Sequence, residues 1–384
     1  MFLPFHYALR NLSRDPSRSV QTVAGSALVV FLVMGAHALN HSMSASLKSS
    51  GSIDNVLFLS AGSEESLQRS EISEEASGIA TSTIRGIYQQ MGMIAASPEA
   101  VNMSYLEVPE VGRVRGMLRG ITPSAFLTHP GILLEKGTFP GPGEILVGRL
   151  AWKAFGVPQE SFEVGNSVDV DGVPLTISGQ FASPGSVKES EIWMELNELR
   201  TLAQRDSIST LVLRLGSAQP DDVDLFAKQR LDLELVAMKE TDYYQKLNAF
   251  HAPVRSMVWI TAAMIALSAV FGGLNTLYAA FASRVRELAT LQALGFRPIA
   301  ILVSLIQESL LTSLIGTLIG ALTATLLLSG RAIVLSAGAF TLRMDPQTLQ
   351  IGLVTGISLG LLGALPPALR CLGIPLPRAL RDSA

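Results

Sequence analysis

The five histidines are the first place to look for chemistry, and their spacing offers little. His37 and His41 stand at i and i+4, which would turn two imidazoles to one side of a helix as a metal ion requires, while His6, His129 and His251 are scattered. No HExxH and no third ligand accompany the pair, so the spacing reads as a polar helix end. Serine is plentiful, yet no GxSxG turn lifts one out as a nucleophile. No Gly-Lys dipeptide occurs, which removes the phosphate-cradling loop of nucleotide hydrolases. Carboxylates crowd a polar stretch and read as a solvated face rather than a glycosidase pair. The single cysteine, Cys371, excludes internal disulfides and multi-cysteine zinc sites. Glu308 is the lone charge in an apolar run; intramembrane acids can mark proton paths, but Arg297 lies about three turns away and implies a place near the membrane interface. The sequence therefore shows no catalytic, cofactor-binding or metal residue, and the chain reads as non-enzymatic.

The informative stretch is ASRVRELATLQALGFRP, residues 282–298. Arg284, Arg286 and Glu287 open it, and Leu288, Leu291 and Leu294 follow at helical spacing. Gly295 suits a helix end, and Pro298 can open the next helix. A short amphipathic helix of this kind either lies in the headgroup layer or docks into a groove on a cytoplasmic partner. Composition leaves both open.

Such a helix must be held by its flanks, and these are strongly apolar. Of the 384 residues 48% are hydrophobic and only 16% charged, with a mean hydropathy of +0.38, against about a quarter charged in soluble domains. Four uncharged or nearly uncharged runs are long enough for spans: 19–40, 256–282, 298–329 and 348–369. The first is longer than the apolar part of a signal peptide and lacks a convincing cleavage site. Residues 41–250 carry 17 basic and 27 acidic residues; elsewhere there are 12 arginines, no lysine and five acids. Arg10, Arg14 and Arg18 precede the first run, Arg284, Arg286 and Arg297 separate the second from the third, and Arg370, Arg378 and Arg381 follow the fourth. The positive-inside rule places both termini and the 283–297 loop in the cytoplasm, with 41–254 and the short 330–347 loop outside. No basic face suited to nucleic acid appears. Small residues recur at packing spacing: Gly316 and Gly320 in the third run, and Gly352, Gly356 and Gly360 in the fourth. They suit close helix contact, within one chain or between two copies.

The outer segment reads as α+β. VDVDGVPLTISGQF (168–181) is a hairpin turning at Asp171-Gly172. Strands are expected at 113–121, 143–148, 211–215 and 233–238, a helix at 221–231, and a solvated helix or loop at 63–78. A helix at 240–250 is expected to run straight into the second span, and the first span to continue through HSMSASLKS. The fold class is thus an integral membrane α-helical protein, four transmembrane helices, with a large α+β extracytoplasmic domain inserted between the first two.

The 284–295 segment resembles the R-x-R-E-[IL]-G-x-L-[RK]-A-L-G pattern of the FtsX/MacB/LolC family of ABC-transporter permeases, the type VII group, through Arg284, Arg286, Glu287, Leu288, Leu291, Ala293, Leu294 and Gly295. HYALRNLSRDPSRS resembles that family's N-terminal cytoplasmic helix (1–18), GPGEILVGRLAWKAFGV and ESEIWMELNELRTL its outer domain, and PLPRALR its cytoplasmic tail (370–384). Ala289 and Gln292 depart from the usual glycine and basic residue, which bears on which ATPase the helix fits. The resemblance implies a porter-like outer domain with an insert near 106–205 and a bacterial inner-membrane location. It also implies a second permease subunit and two copies of a separate ABC ATPase that binds the ATP and magnesium. Nucleotide-driven motion would pass through the 283–297 coupling segment to the outer domain. The cargo implied is lipid-anchored, amphiphilic or periplasmic, with an adaptor or lipoprotein carrier as a further partner. A non-transporting relative, regulating a cell-wall hydrolase or an antibiotic-sensing complex, is the alternative.

Overall fold

The computed structural model describes Tyr7, Arg10, Asn11, Arg14, 16–335 and 338–375. Most of the expected N-terminal helix, and residues 376–384 of the expected tail, lie outside the described residues. The chain forms two units: one takes up to His41, Pro253–Arg331 and the segment from Leu342, the other Ser42–Ala252 and Ala332–Thr341.

In the first unit the apolar runs become helices, Pro16–Ser50, Ala252–Ala282, Pro298–Leu328 and Pro346–Leu372, all long and apolar enough to cross a membrane. The third and fourth begin on a proline, whose missing N–H costs nothing where helical donors are unpaired anyway. The small residues act within the chain. A Cβ on Gly316 would lie 2.6 Å from the Val23 carbonyl, and one on Gly320 would lie 3.1 Å from Ala27 Cα, so the first span packs directly on the third. Gly352 faces Met34, and Gly356 and Gly360 face Thr317 and Leu310. Ser309 donates to the Gly360 carbonyl (2.9 Å), a bond that only such close backbones allow. His37 and His41 turn to Thr348 Oγ1 (2.9 Å) and Asp345 (3.0 Å), and among the described residues no three ligands converge.

The second unit is built on a ten-stranded sheet: β1 (Asn55–Ser60), β2 (Ala96–Val108), β3 (Gly112–Ile121), β4 (Leu133–Gly137), β5 (Glu144–Gly148), β6 (Ser167–Val170), β7 (Val173–Ala182), β8 (Ile192–Glu195), β9 (Thr210–Arg214) and β10 (Leu235–Lys239). Its order is β10-β1-β9-β2-β3-β8-β5-β7-β4, with β6 against β2 and β7. The β6–β7 hairpin turns as expected, with φ of 48° at Asp171 and 91° at Gly172, the pair of left-handed residues a two-residue turn needs. The long β2 strand contains Pro98, normally a mark against a strand. Residues 96–99 pair only with β9, and pairing to β3 starts at Ala100, so no sheet bond on the other side is lost. Two expectations fail. The 63–78 segment is not merely solvated: Leu67, Ser70, Ile72 and Ala76 are buried, and a helix starts only at Glu74 behind its Ser73 cap. The 240–250 helix does not run on unbroken; it ends at His251 before the second span begins. The outer loop between the last two spans holds a small unforeseen hairpin, Ala332–Leu335 with Gly338–Thr341.

A chain of charges crosses the interior of this unit. Buried Arg119 donates to Glu99 (2.7 Å) and twice to Glu191 (2.6 and 2.7 Å). His129 bridges Glu99 (2.7 Å) and Lys188 (3.0 Å), and Lys188 donates to Glu240 (2.7 Å). Since the Lys188 ammonium can only donate, His129 Nδ1 accepts, and its Nε2–H faces Glu99. Each of these three carboxylates thereby meets a cation, Arg119 or Lys188, the condition under which burial is tolerable.

Candidate coupling site

The 282–298 segment forms the helix Val285–Ala293. It ends on left-handed Gly295 (φ 92°), with Gly295 N–H bonded to the Gln292 carbonyl (3.0 Å) and Phe296 N–H to that of Leu291 (3.2 Å). This double closure satisfies the last carbonyls and reverses the chain within three residues, so that Pro298 can open the next span.

The three leucines do not share a surface. Leu288 is 2% exposed, packed with Phe281, Ile301, Leu305 and Ala364, and Leu291 leans on the same cluster. Leu294 is 71% exposed. A groove on a partner filled by all three is therefore excluded: two of them hold the helix to its own spans. Facing outward instead are Arg286, Thr290, Ala293, Leu294 and Arg297, a row at near-helical spacing with two cations and one large apolar side chain.

Arg284 is not the exposed surface charge that its place in a loop implies. Its side chain is 17% exposed and meets Glu308 Oε2 at 3.0 Å and Glu287 Oε2 at 3.2 Å. Arg14 reaches Glu287 Oε1 at 2.7 Å, Tyr7 donates to the same oxygen at 3.3 Å, and Asn11 donates to Glu308 at 3.3 Å. Burial opposes the Arg284 charge, yet the Glu308 and Glu287 carboxylates raise its pKa above the ordinary arginine value. Burial alone would raise the Glu287 carboxyl, but hydrogen bonds from Arg14 and Arg284 hold it below the usual range. The cluster ties three elements together: the N-terminal segment, the short helix and the third span. Tyr7, Asn11, Arg14 and Glu308 were not legible as site residues. The one available signal was Glu308 itself, since a lone carboxylate in an apolar run needs a cation, and arginines flank the loop.

Among the described residues, the cluster sets two arginines, Arg14 and Arg284, against two carboxylates, Glu287 and Glu308, with Tyr7 and Asn11 adding hydrogen bonds. A model of the MacB-like periplasmic core domain matches residues 19–229, and one of the FtsX-like permease C-terminal region matches 259–376. Among solved structures, the periplasmic region of MacB from Actinobacillus actinomycetemcomitans is similar at 12% identity, over 52% of this chain and 94% of that one, with a TM-score of 0.40. The extracellular domain of the noncanonic ABC-type transporter YknZ from Gram-positive bacteria is similar at 17% identity, over 48% and 99%, with a TM-score of 0.36. No curated protein matches the chain. The periplasmic-core match alone covers more than half of the chain, and the permease match takes in three of the four spans and the short helix between them. The chain is an integral membrane protein with a large extracytoplasmic domain, and it belongs to the FtsX/MacB-like, type VII family of ABC-transporter permeases.

Proposed function

We propose that this permease works as one of two permease subunits with two copies of a separate ATPase, and that the 285–293 helix is where the ATPase pushes. The observation that carries this reading is the two-sided helix. Leu288, Leu291 and Arg284 fasten its inner side to the spans, while Arg286, Thr290, Leu294 and Arg297 stand outward. A helix clamped this way moves with its bundle. Closure of the nucleotide-bound ATPases would shift the spans as a body, and the first span, one helix from Pro16 to Ser50, would carry the shift outward as mechanotransmission. Both termini and the short helix lie on the cytoplasmic side in this reading, as the arginine distribution favours. The cargo is a lipid-anchored, amphiphilic or periplasmic molecule, exported or extracted with an adaptor or carrier outside.

Reconstitution tests the division of labour. The purified chain alone should hydrolyse no ATP above background, and hydrolysis should appear when a separate ATPase subunit with a P-loop is added. Hydrolysis by the permease alone, surviving removal of contaminating ATPases, would overturn the proposal.

A further inference from the structure

The ten-stranded sheet ends on two edges that differ in kind. β4 is blunted: its pairing with β7 slips between Leu134 and Lys136, and Glu135 and Lys136 are exposed on it. Bulges and charges of this sort keep an edge from accepting a further strand. β10 has no such protection. It pairs with β1 in unbroken register from Leu235 to Lys239, contains no proline, and carries its one charge at the end. A cleft of about 740 Å³ opens on it, lined by Val236, Ala237, Met238 and Lys239 together. Successive side chains of a strand point to opposite faces, so a cleft that touches four residues in a row meets the strand edge-on.

The register fixes which backbone groups face the cleft. Ala61 N–H bonds to the Glu234 carbonyl (2.8 Å), which makes these two a hydrogen-bonded pair. Such pairs alternate along an antiparallel ladder, so Val236 and Met238 bond inward to β1, while Leu235, Ala237 and Lys239 turn their backbone outward. The far side of β1 agrees: Leu215 N–H bonds to the Asp54 carbonyl (2.8 Å), which commits Val56 and Phe58 to β9. The outward N–H groups of Leu235, Ala237 and Lys239, and the carbonyls of Leu235 and Ala237, make no hydrogen bond among the described residues. Charge then selects the strand that fits them. Glu65, Asp221 and Asp242 stand exposed on the cleft walls and form no ion pair among the described residues. Asp224 is held by Lys228 (2.6 Å), and Glu64 accepts from the Gly62 N–H (3.2 Å). Five carboxylates thus line the cleft against two lysines, Lys239 and Lys246, over an apolar floor of Met238, Leu247 and Phe250. A second copy of this edge would bring acid against acid. We infer that β10 accepts an added strand from an extracytoplasmic partner protein, an extended segment in which lysine or arginine alternates with apolar residues. This strand addition does not depend on the transport reading above.

The test uses the full chain in phosphatidylcholine nanodiscs, which do not attract a basic peptide by charge, and a fluorescent peptide of alternating lysine and valine. Its binding should slow backbone hydrogen exchange across 235–239. The same peptide N-methylated at every residue keeps its charge and side chains but can donate no strand bond, and should not bind. A peptide of alternating glutamate and valine should not bind either. Ala237→Pro removes an outward N–H from the edge, where proline does not break the bonds to β1, and should weaken binding roughly tenfold or more. Should that variant fold poorly, the exposed triple variant Glu65→Gln, Asp221→Asn, Asp242→Asn carries the test, with a loss of roughly three- to thirty-fold. Unchanged exchange at 235–239, equal binding of the methylated or acidic peptide, or parental binding by either folded variant overturns the inference. So does slowed exchange at 235–239 on raising the protein concentration without peptide, which marks pairing of two copies. The ATPase-docking row uses none of these residues, so the two readings can fail independently.

Discussion

At the scale of single residues, the coupling site rests on Arg284 and Glu308, 24 positions apart in sequence and 3.0 Å apart in space. Removing one member strands the other in a half-buried place, where an unmet charged hydrogen bond costs about 1.5–3 kcal/mol. Arg284→Ala and Glu308→Gln should each lower the melting temperature of the detergent-solubilised chain, and the double variant should lose much less than the sum of the two. Additive losses would show that the pair contributes no stability. A sequence reading gives Arg284 the modest weight of an exposed charge, because nothing local tells a loop arginine that it will be covered. The buried network of the outer domain makes a second residue-scale prediction. Burial alone would raise Glu99 and Glu240, but the His129 hydrogen bond and the Arg119 charge hold the first, and Lys188 holds the second, below their ordinary value of 4.5. Groups depressed in the folded state stabilise it fully above that value and lose the contribution as pH falls through their folded pKa values. Urea unfolding followed by the emission of Trp193, whose indole donates to Glu191, should show a marked loss between neutral pH and pH about 4 and below. Glu240→Gln should be less stable at neutral pH and lose less on acidification. An equal acid loss in that variant would remove Glu240 from the cause.

At the scale of elements, legibility followed how local each determinant is. The Asp171-Gly172 hairpin and the spans were readable because their signals lie within the element itself. β2 was not, because Pro98 is acceptable there only through one-sided pairing, a property of the neighbours. The short helix was recognisable as amphipathic, but its apolar stripe does not say whether it faces a partner or its own spans; Leu288 and Leu291 took the second course, while Leu294 stays exposed. Glycine spacing was visible, and the choice between one chain and two became clear only from the Val23, Ala27 and Met34 contacts. Those contacts predict a contrast. A Cβ at Gly316 has no room against the first span, whereas one at Gly272 meets nothing within 4 Å. Gly316→Val should force the first and third spans apart and reduce the yield of folded monomer in size-exclusion chromatography. Gly272→Ala should elute and melt as the parent does. Equal behaviour of the two variants would contradict the packing described.

At the scale of the whole molecule, the chain has four apolar helices, a short helix fastened to them and a large extracytoplasmic domain, and the proposed function has it driven by force from a separate ATPase. The central claim is that delivery occurs on the outward row of the 285–293 helix. The direct measurement is capture of the ATPase by detergent-solubilised permease, comparing Leu294→Asp with the parent. Leu294 is exposed, so the variant should fold, insert and melt as the parent does. A carboxylate forced unpaired into the interface with the ATPase costs several kcal/mol, so capture should fall by roughly two orders of magnitude or more, and permease-stimulated ATP hydrolysis with it. Parental capture and hydrolysis by folded Leu294→Asp would contradict the account.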